Sequence, residues 1–232
     1  MTTRDLAFVA AAINRLSVWI DASYPDGIPG ELALRRRVGK LGEEVGEVVN
    51  AIGGWSGENP RKGVTKTLDD VRGELLDVVV TALGAWEHID GNRGHGVTVF
   101  AKHVETPAYE DDGRTLLPVP DRDLDRLGFY AGYRSLIIDE TPWTVTDPEL
   151  LLRRRVSAVI QTAGKIDGAV DAHTYLVGPG GLSEIRAGLL DIAREALMIV
   201  EHLDGNKGES GQALAIKMDF LLDRVGLTVD AS

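Results

Sequence analysis

The chain has 232 residues, a formal net charge of −11 at pH 7 and no cysteine. This length suits one large domain or two small ones, and the lack of thiols excludes disulfides, zinc–thiolate sites and cysteine nucleophiles. The acidic balance speaks against a nucleic-acid backbone as partner, and with neither a long apolar run nor a basic-then-apolar leader no membrane partner is expected and a cytoplasmic protein is.

Leu6 to Ile20 reads as a first helix, followed by the turn-forming residues of Ser23–Gly30. From Glu31 to about Ile52 apolar residues fall at 34, 38, 41, 45, 48, 49 and 52, an amphipathic helical stripe that Gly53-Gly54 is expected to stop. Trp55–Thr65 reads as a loop. Thr67 is a predicted N-cap with Asp69 and Asp70 in the first turn, opening a helix that runs to His88 or Ile89. Asp90-Gly91-Asn92 closes it, with Gly91 suited to a left-handed C-cap, and a short fourth helix follows over Val97–Val104. The proline- and acid-containing stretch His103–Asp121 reads as a linker.

The second half repeats the plan. Helices are predicted near Leu124–Ile138, from Glu149 to about Tyr175, from a Ser183 cap to His202, and on to about Val225. Turns are expected through Pro142 and Pro148, and a shortened connection at Gly178-Pro179-Gly180-Gly181. Nothing alternates at period two, so the chain reads as all-α. The expected organisation is two tandem helical modules, 1–104 and 122–232, joined by 105–121.

The two halves are related in sequence. Arg4–Val38 aligns without a gap with Arg122–Val156, identical at 13 of 35 positions, and Arg72–Gly94 aligns with Arg186–Gly208 at 12 of 23. Both copies keep an arginine triplet (Arg35–Arg37, Arg153–Arg155) and a Glu-His-x-Asp-Gly-Asn end. The triplet reads as a solvated face or a contact between halves, and the shared end reads as helix termination. The copies differ in their acids. Glu43, Glu44, Glu47 and Glu74 are replaced by Gln161, Thr162, Lys165 and Gly188, while Asp77 keeps an acidic counterpart in Asp191.

Glu44 and Glu47 are three apart on one predicted helix, and Glu74 and Asp77 are three apart on the next. Antiparallel packing of those helices would bring four carboxylates together, and such a group needs cations to remain ionised away from water. Hard oxygen donors without His or Cys favour Mg²⁺, with Mn²⁺ as an alternative. A di-iron site would require Glu-x-x-His pairs, which are missing at the acidic pairs.

Glu43-Glu44-Val45-Gly46-Glu47, followed by Glu74-Leu75-Leu76-Asp77, resembles the Glu-Glu-x-x-Glu … Glu-x-x-Asp signature of MazG-like, all-α nucleoside triphosphate pyrophosphohydrolases. Residues 31–103 carry the resemblance, together with the flanking Lys40-Leu41-Gly42 and Asp90-Gly91-Asn92. It implies hydrolysis of a (deoxy)nucleoside triphosphate to the monophosphate and pyrophosphate, with Glu44, Glu47, Glu74 and Asp77 as metal ligands. Glu43 or Glu44 would orient or deprotonate the attacking water. Arg61, Lys62 and Lys66 are placed to meet the pyrophosphate, and Trp55 and Asn92 are further candidates for substrate contact, with Trp19 and Tyr24 near the first turn as weaker ones. Lys102 has a rough counterpart in Lys217. Single-module relatives usually dimerise, so the degenerate half is expected to act as an internal partner in a pseudo-dimer, with homodimerisation a further option. Lys165 is expected to replace the metal's charge and satisfy Asp191. A catalytically silent nucleotide sensor on the same fold is the alternative function.

Overall fold

The computed structural model describes residues 4–25, 28–105, 119–140, 147–175 and 181–229. Among them are eight helices: α1 (Leu6–Ala22), α2 (Gly30–Ser56), α3 (Leu68–Ile89), α4 (Gly96–Glu105), α5 (Asp123–Glu140), α6 (Pro148–Tyr175), α7 (Gly181–Leu203) and α8 (Ser210–Arg224). The fold is all-α, with no strand among the described residues. Most of the expected linker, the Pro142 turn and the Gly178–Gly180 connection lie outside the described residues.

Local chemistry sets the helix ends. Asp5 caps α1, its Oδ1 accepting from the Phe8 amide at 2.8 Å. Thr67 caps α3 in a reciprocal capping box: the Asp70 amide donates to Thr67 Oγ1, and the Thr67 amide donates to the Asp70 carboxylate. Two expectations need correction. Gly53-Gly54 does not stop α2, which continues through Trp55 to a left-handed C-cap at Gly57. Those glycines instead let the following loop lie against the helix, since a Cβ on Gly54 would sit 2.6 Å from Lys66 Cγ. Ser183 is not a cap either; it lies inside the first turn of α7.

Four long helices form the centre. Arg37 meets Gly84, Glu44 meets Asp77 and Gly54 meets Thr65, so α2 and α3 run antiparallel. By the same logic α6 and α7 are antiparallel, through Thr162 with Glu195 and Ile166 with Gly188. The helices α3 and α7 pack against each other, flanked by α2 and α6; α1 lies on α3 and α4, and α5 lies on α7 and α8. One apolar core, with Ile13, Leu41, Leu75, Leu83 and Phe100 from the first half and Leu127, Leu152, Ile166, Ile185 and Leu189 from the second, runs through both halves.

The retained identities now have physical reasons. Arg37, only 5% exposed, donates to the carbonyls of Ser17 (2.7 Å) and Gly84 (3.2 Å) and to Asp21 Oδ1 (2.7 Å). Asp21 also bonds His88 and Asn92. Burial raises the Asp21 carboxyl, but the bonds from His88, Arg37 and Asn92 outweigh it and hold the group below its ordinary range. The second half repeats this hub with Arg155, Ser135, Asp139, His202 and Asn206. Buried Glu87 accepts from the amides of Gly94 and Gly96, and buried Glu201 accepts from Gly208 and Ser210, so each glutamate holds the start of the next helix. Asp90 and Asp204 face the other half: Arg72 grips Asp204 at 2.9–3.0 Å, and Arg186 lies 4.0 Å from Asp90. The Glu-His-x-Asp-Gly-Asn end therefore ends one helix, starts the next and joins the halves, which is more than helix termination alone. The first member of each arginine triplet also crosses between halves, Arg35 to Asp171 and Arg153 to Glu58.

Candidate metal centre

The second and third helices carry the acidic residues to one place. Because α2 and α3 are antiparallel, a glutamate midway along α2 faces the first half of α3. Carboxylate oxygens of Glu44, Glu74 and Asp77 all lie within 4.8 Å of one another. Glu44 is buried, and Glu74 and Asp77 are partly buried. Burial, then Asp77 and Glu47, push the Glu44 carboxyl up, opposed by its ion pair with Lys40. Burial, then Glu47 and Asp77, likewise raise Glu74, opposed by Lys66 and Lys217. Three like charges in a partly dehydrated groove form a site that a cation would relieve, and the donors are all hard oxygens suited to Mg²⁺ or Mn²⁺. The residues present fit such an ion.

The fourth expected ligand, Glu47, is exposed at the edge of this group but close enough to act on both Glu44 and Glu74. Glu43 points to solvent with its side chain 59% exposed and shares Lys40 with Glu44, at 3.0 Å and 2.9 Å respectively. Those two bonds outweigh burial and raise the Lys40 ammonium above its ordinary range.

The loop between α2 and α3 folds back on the end of α2. The Thr65 amide donates to the Gly54 carbonyl at 2.9 Å, and Asn59 organises the turn by accepting from the amides of Arg61, Lys62 and Gly63. Lys66 is 3.9 Å from Asp70 and close enough to Glu74 to oppose its upward shift. Arg61 and Lys62 are exposed in this loop. Trp55 sits in the last turn of α2, partly buried against the core. Asn92 is tied to Asp21 at 2.7 Å and accepts from Ser17 at 2.7 Å. It lies beyond the far end of α3, about 20 Å along the helix axis from Asp77.

Sequence reasoning missed Lys217. Its Nζ lies 2.5 Å from Asp77 Oδ2 and 3.5 Å from the Gly73 carbonyl, so a residue of the second half enters the acidic group of the first. The pairing of Lys102 with Lys217 was one residue out of register. Glu87 holds Gly96 as Glu201 holds Ser210, and that spacing sets His103 opposite Lys217. His103 Nε2 indeed contacts Asp191 at 2.9 Å. The expectation that Lys165 satisfies Asp191 is likewise corrected: His103 and Arg194 hold that aspartate, each at 2.9 Å, while exposed Lys165 acts on Glu195. Burial raises Glu195, and its bond from Thr162, Arg194 and Lys165 oppose the rise.

No family model matches the chain, and neither a curated protein nor a solved structure matches it.

Proposed function

We propose that this protein is a tandem MazG-like nucleoside triphosphate pyrophosphohydrolase with one working site, the acidic group of α2 and α3, and a degenerate second half that serves as a fused partner. The observation that carries the reading is the convergence of Glu44, Glu74 and Asp77 within 4.8 Å from two antiparallel helices. At the corresponding positions the second half has Thr162, Gly188 and Asp191. A helical scaffold alone gives no reason for acids to disappear from one copy while the Asp21 and Asp139 hubs are both kept.

A divalent cation bound there, Mg²⁺ or Mn²⁺, would supply Lewis acidity toward phosphate oxygens and a water of lowered pKa. Glu44, Glu74 and Asp77 would hold the ion, with Glu47 at the edge of the group. Lys40 fixes the Glu44 carboxylate by its 2.9 Å bond. Glu43, the adjacent acid, faces solvent while sharing Lys40 with Glu44, and would accept a proton from water at the rim. Lys66 stands beside Glu74, and Arg61 and Lys62 project from the same loop, so charge for a departing pyrophosphate comes from one segment.

The test is to incubate the full chain with a panel of nucleoside and deoxynucleoside triphosphates plus Mg²⁺ and measure pyrophosphate. Release by the wild type should fall by about 100-fold or more in Asp77→Ala, the scale of losing a group that positions the charged centre. Release that survives Asp77→Ala and Glu47→Ala would remove the site assignment. Nucleotide binding with no release would replace hydrolysis by a sensor function.

A further inference from the structure

We propose that Lys217, carried by the second half, keeps the acidic group of the first half closed to a bare divalent cation, so that metal loads there only together with a polyphosphate anion. The inference rests on reading Glu44, Glu74 and Asp77 as metal ligands, and adds to it an order of loading.

Two ammonium groups touch the acidic residues, and their surroundings differ. Lys40 is half exposed and bonds both Glu43 and Glu44, so a cation that takes Glu44 leaves Lys40 an exposed carboxylate and water. Lys217 has no such retreat, because Glu74, the other carboxylate it acts on, belongs to the group the cation would take. Its side chain is 17% exposed, and its contacts are Asp77 Oδ2 at 2.5 Å and the Gly73 carbonyl at 3.5 Å. A cation that claims the Asp77 carboxylate takes the main acceptor of a largely buried ammonium and sets a divalent charge beside it. A partly buried charge stripped of its partner is costly, and like charges at this range repel strongly. An incoming polyphosphate removes both penalties, because its oxygens accept from the ammonium and neutralise the cation.

A related contact exists on the other side of the molecule, where the second half's Asp191 meets the first half's His103 at 2.9 Å. Each half thus places a basic side chain on the aspartate that the other half retains. Only on the Asp77 side do Glu44 and Glu74 stand next to that aspartate. The contact between halves acquires a role in loading on that side alone.

Equilibrium dialysis of the full chain against Mn²⁺, with and without inorganic pyrophosphate, tests this without reference to turnover. Wild type should retain Mn²⁺ about tenfold more tightly, or better, when pyrophosphate is present. Lys217→Met should bind Mn²⁺ alone about tenfold more tightly than wild type, as expected for removal of one adjacent positive charge, and lose most of the pyrophosphate effect. Lys217→Arg should behave as wild type. A lysine that merely clamps the halves together would lower the melting temperature of Lys217→Met and leave its Mn²⁺ affinity unchanged, which overturns the proposal. Should Lys217→Met fail to fold, the wild-type comparison still decides: equal Mn²⁺ affinity with and without pyrophosphate overturns it. Mn²⁺ binding that ignores position 217 overturns this inference alone. No Mn²⁺ binding by any protein in either condition overturns the metal reading as well.

Discussion

Replacing Glu74 with Gln should make the metal-free protein more stable, not less. The carboxylate oxygens of Glu44, Glu74 and Asp77 lie within 4.8 Å of one another, and two unit charges at that separation repel by roughly 1 kcal/mol in a water-like medium and ~3 kcal/mol at an effective dielectric near 20. Glu74 is partly open to solvent, and Lys66 and Lys217 offset part of the repulsion, so the lower figure applies. Glu74→Gln in EDTA at pH 7 is therefore expected to gain about 1 kcal/mol, a rise of about 2–4 °C in Tm for a chain of this size. The gain depends on pH. Burial, then Glu47 and Asp77, raise the folded-state pKa of Glu74 above 4.5, so the folded protein takes up this proton before the unfolded chain does as pH falls. The repulsion is present above the folded pKa and disappears as pH falls through it, and the two proteins should converge toward acid pH. With Mn²⁺ and pyrophosphate at about 100 times the dissociation constant, wild type gains about 2.7 kcal/mol by mass action and overtakes the variant. Differential scanning calorimetry across pH, with EDTA and then with ligands, reads both effects. A variant less stable than wild type in EDTA at pH 7, or one stabilised equally by the ligands, would refute the argument.

Asp21→Ala should cost about 3 kcal/mol in urea unfolding, since it strips the carboxylate from an almost fully buried Arg37; Asp139→Ala should cost a similar amount through Arg155. Arg72→Ala should destabilise by about 1 kcal/mol more than Arg186→Ala, because Arg72 grips the Asp204 carboxylate through Nε and Nη2, whereas Arg186 stays 4.0 Å from Asp90 and donates to the neutral Ile89 carbonyl at 3.0 Å. Equal losses in chemical denaturation would contradict that asymmetry. Gly54→Ala should lose about 1–3 kcal/mol, the usual scale of overpacking, because the added Cβ would sit 2.6 Å from Lys66 Cγ. A crystal structure of that variant should show the loop after α2 displaced, with Lys66 withdrawn from Glu74.

Helix order and type were legible because apolar residues recur at helical steps and because Thr67 and Asp70 form a local cap that depends on no distant contact. The meeting of Glu44 with Glu74 and Asp77 was legible for a similar reason: spacing puts each acid on a face, and a short loop forces two long helices to pack antiparallel. Spacing did not show depth. Glu44 and Glu47 share a face, yet one is buried and the other exposed. Gly53-Gly54 was misread because a glycine pair that breaks a helix and one that admits a crossing segment look alike until the segment is seen. Lys217 was out of reach, 140 residues from Asp77 along the chain and hidden by an error of one position in pairing the last helices of the two halves.

Of the acids that meet between α2 and α3, Asp77 alone keeps an acidic counterpart in the second half, Asp191. From sequence alone Asp191 reads as the remnant of a lost metal site, and Lys165 as its replacement charge. The contacts give it a different reason to persist. Asp77 accepts from Lys217 and Asp191 contacts His103, each across to the opposite half, and each contact ties α3 or α7 to the short helix of the other copy. An aspartate with that duty persists whether or not a cation is bound beside it, whereas Glu44 is held by Lys40 of its own half and Lys217 acts on Glu74 only through its charge. Loss of metal chemistry from one copy would therefore remove the glutamates first and leave the aspartate, which is the pattern of Thr162, Gly188 and Asp191. It follows that Asp191→Asn should weaken the packing of α4 on α7 and lower stability, yet leave Mn²⁺ retention by the full chain unchanged. A fall in Mn²⁺ retention in that variant, with the fold intact by circular dichroism, would place a second metal site in the second half.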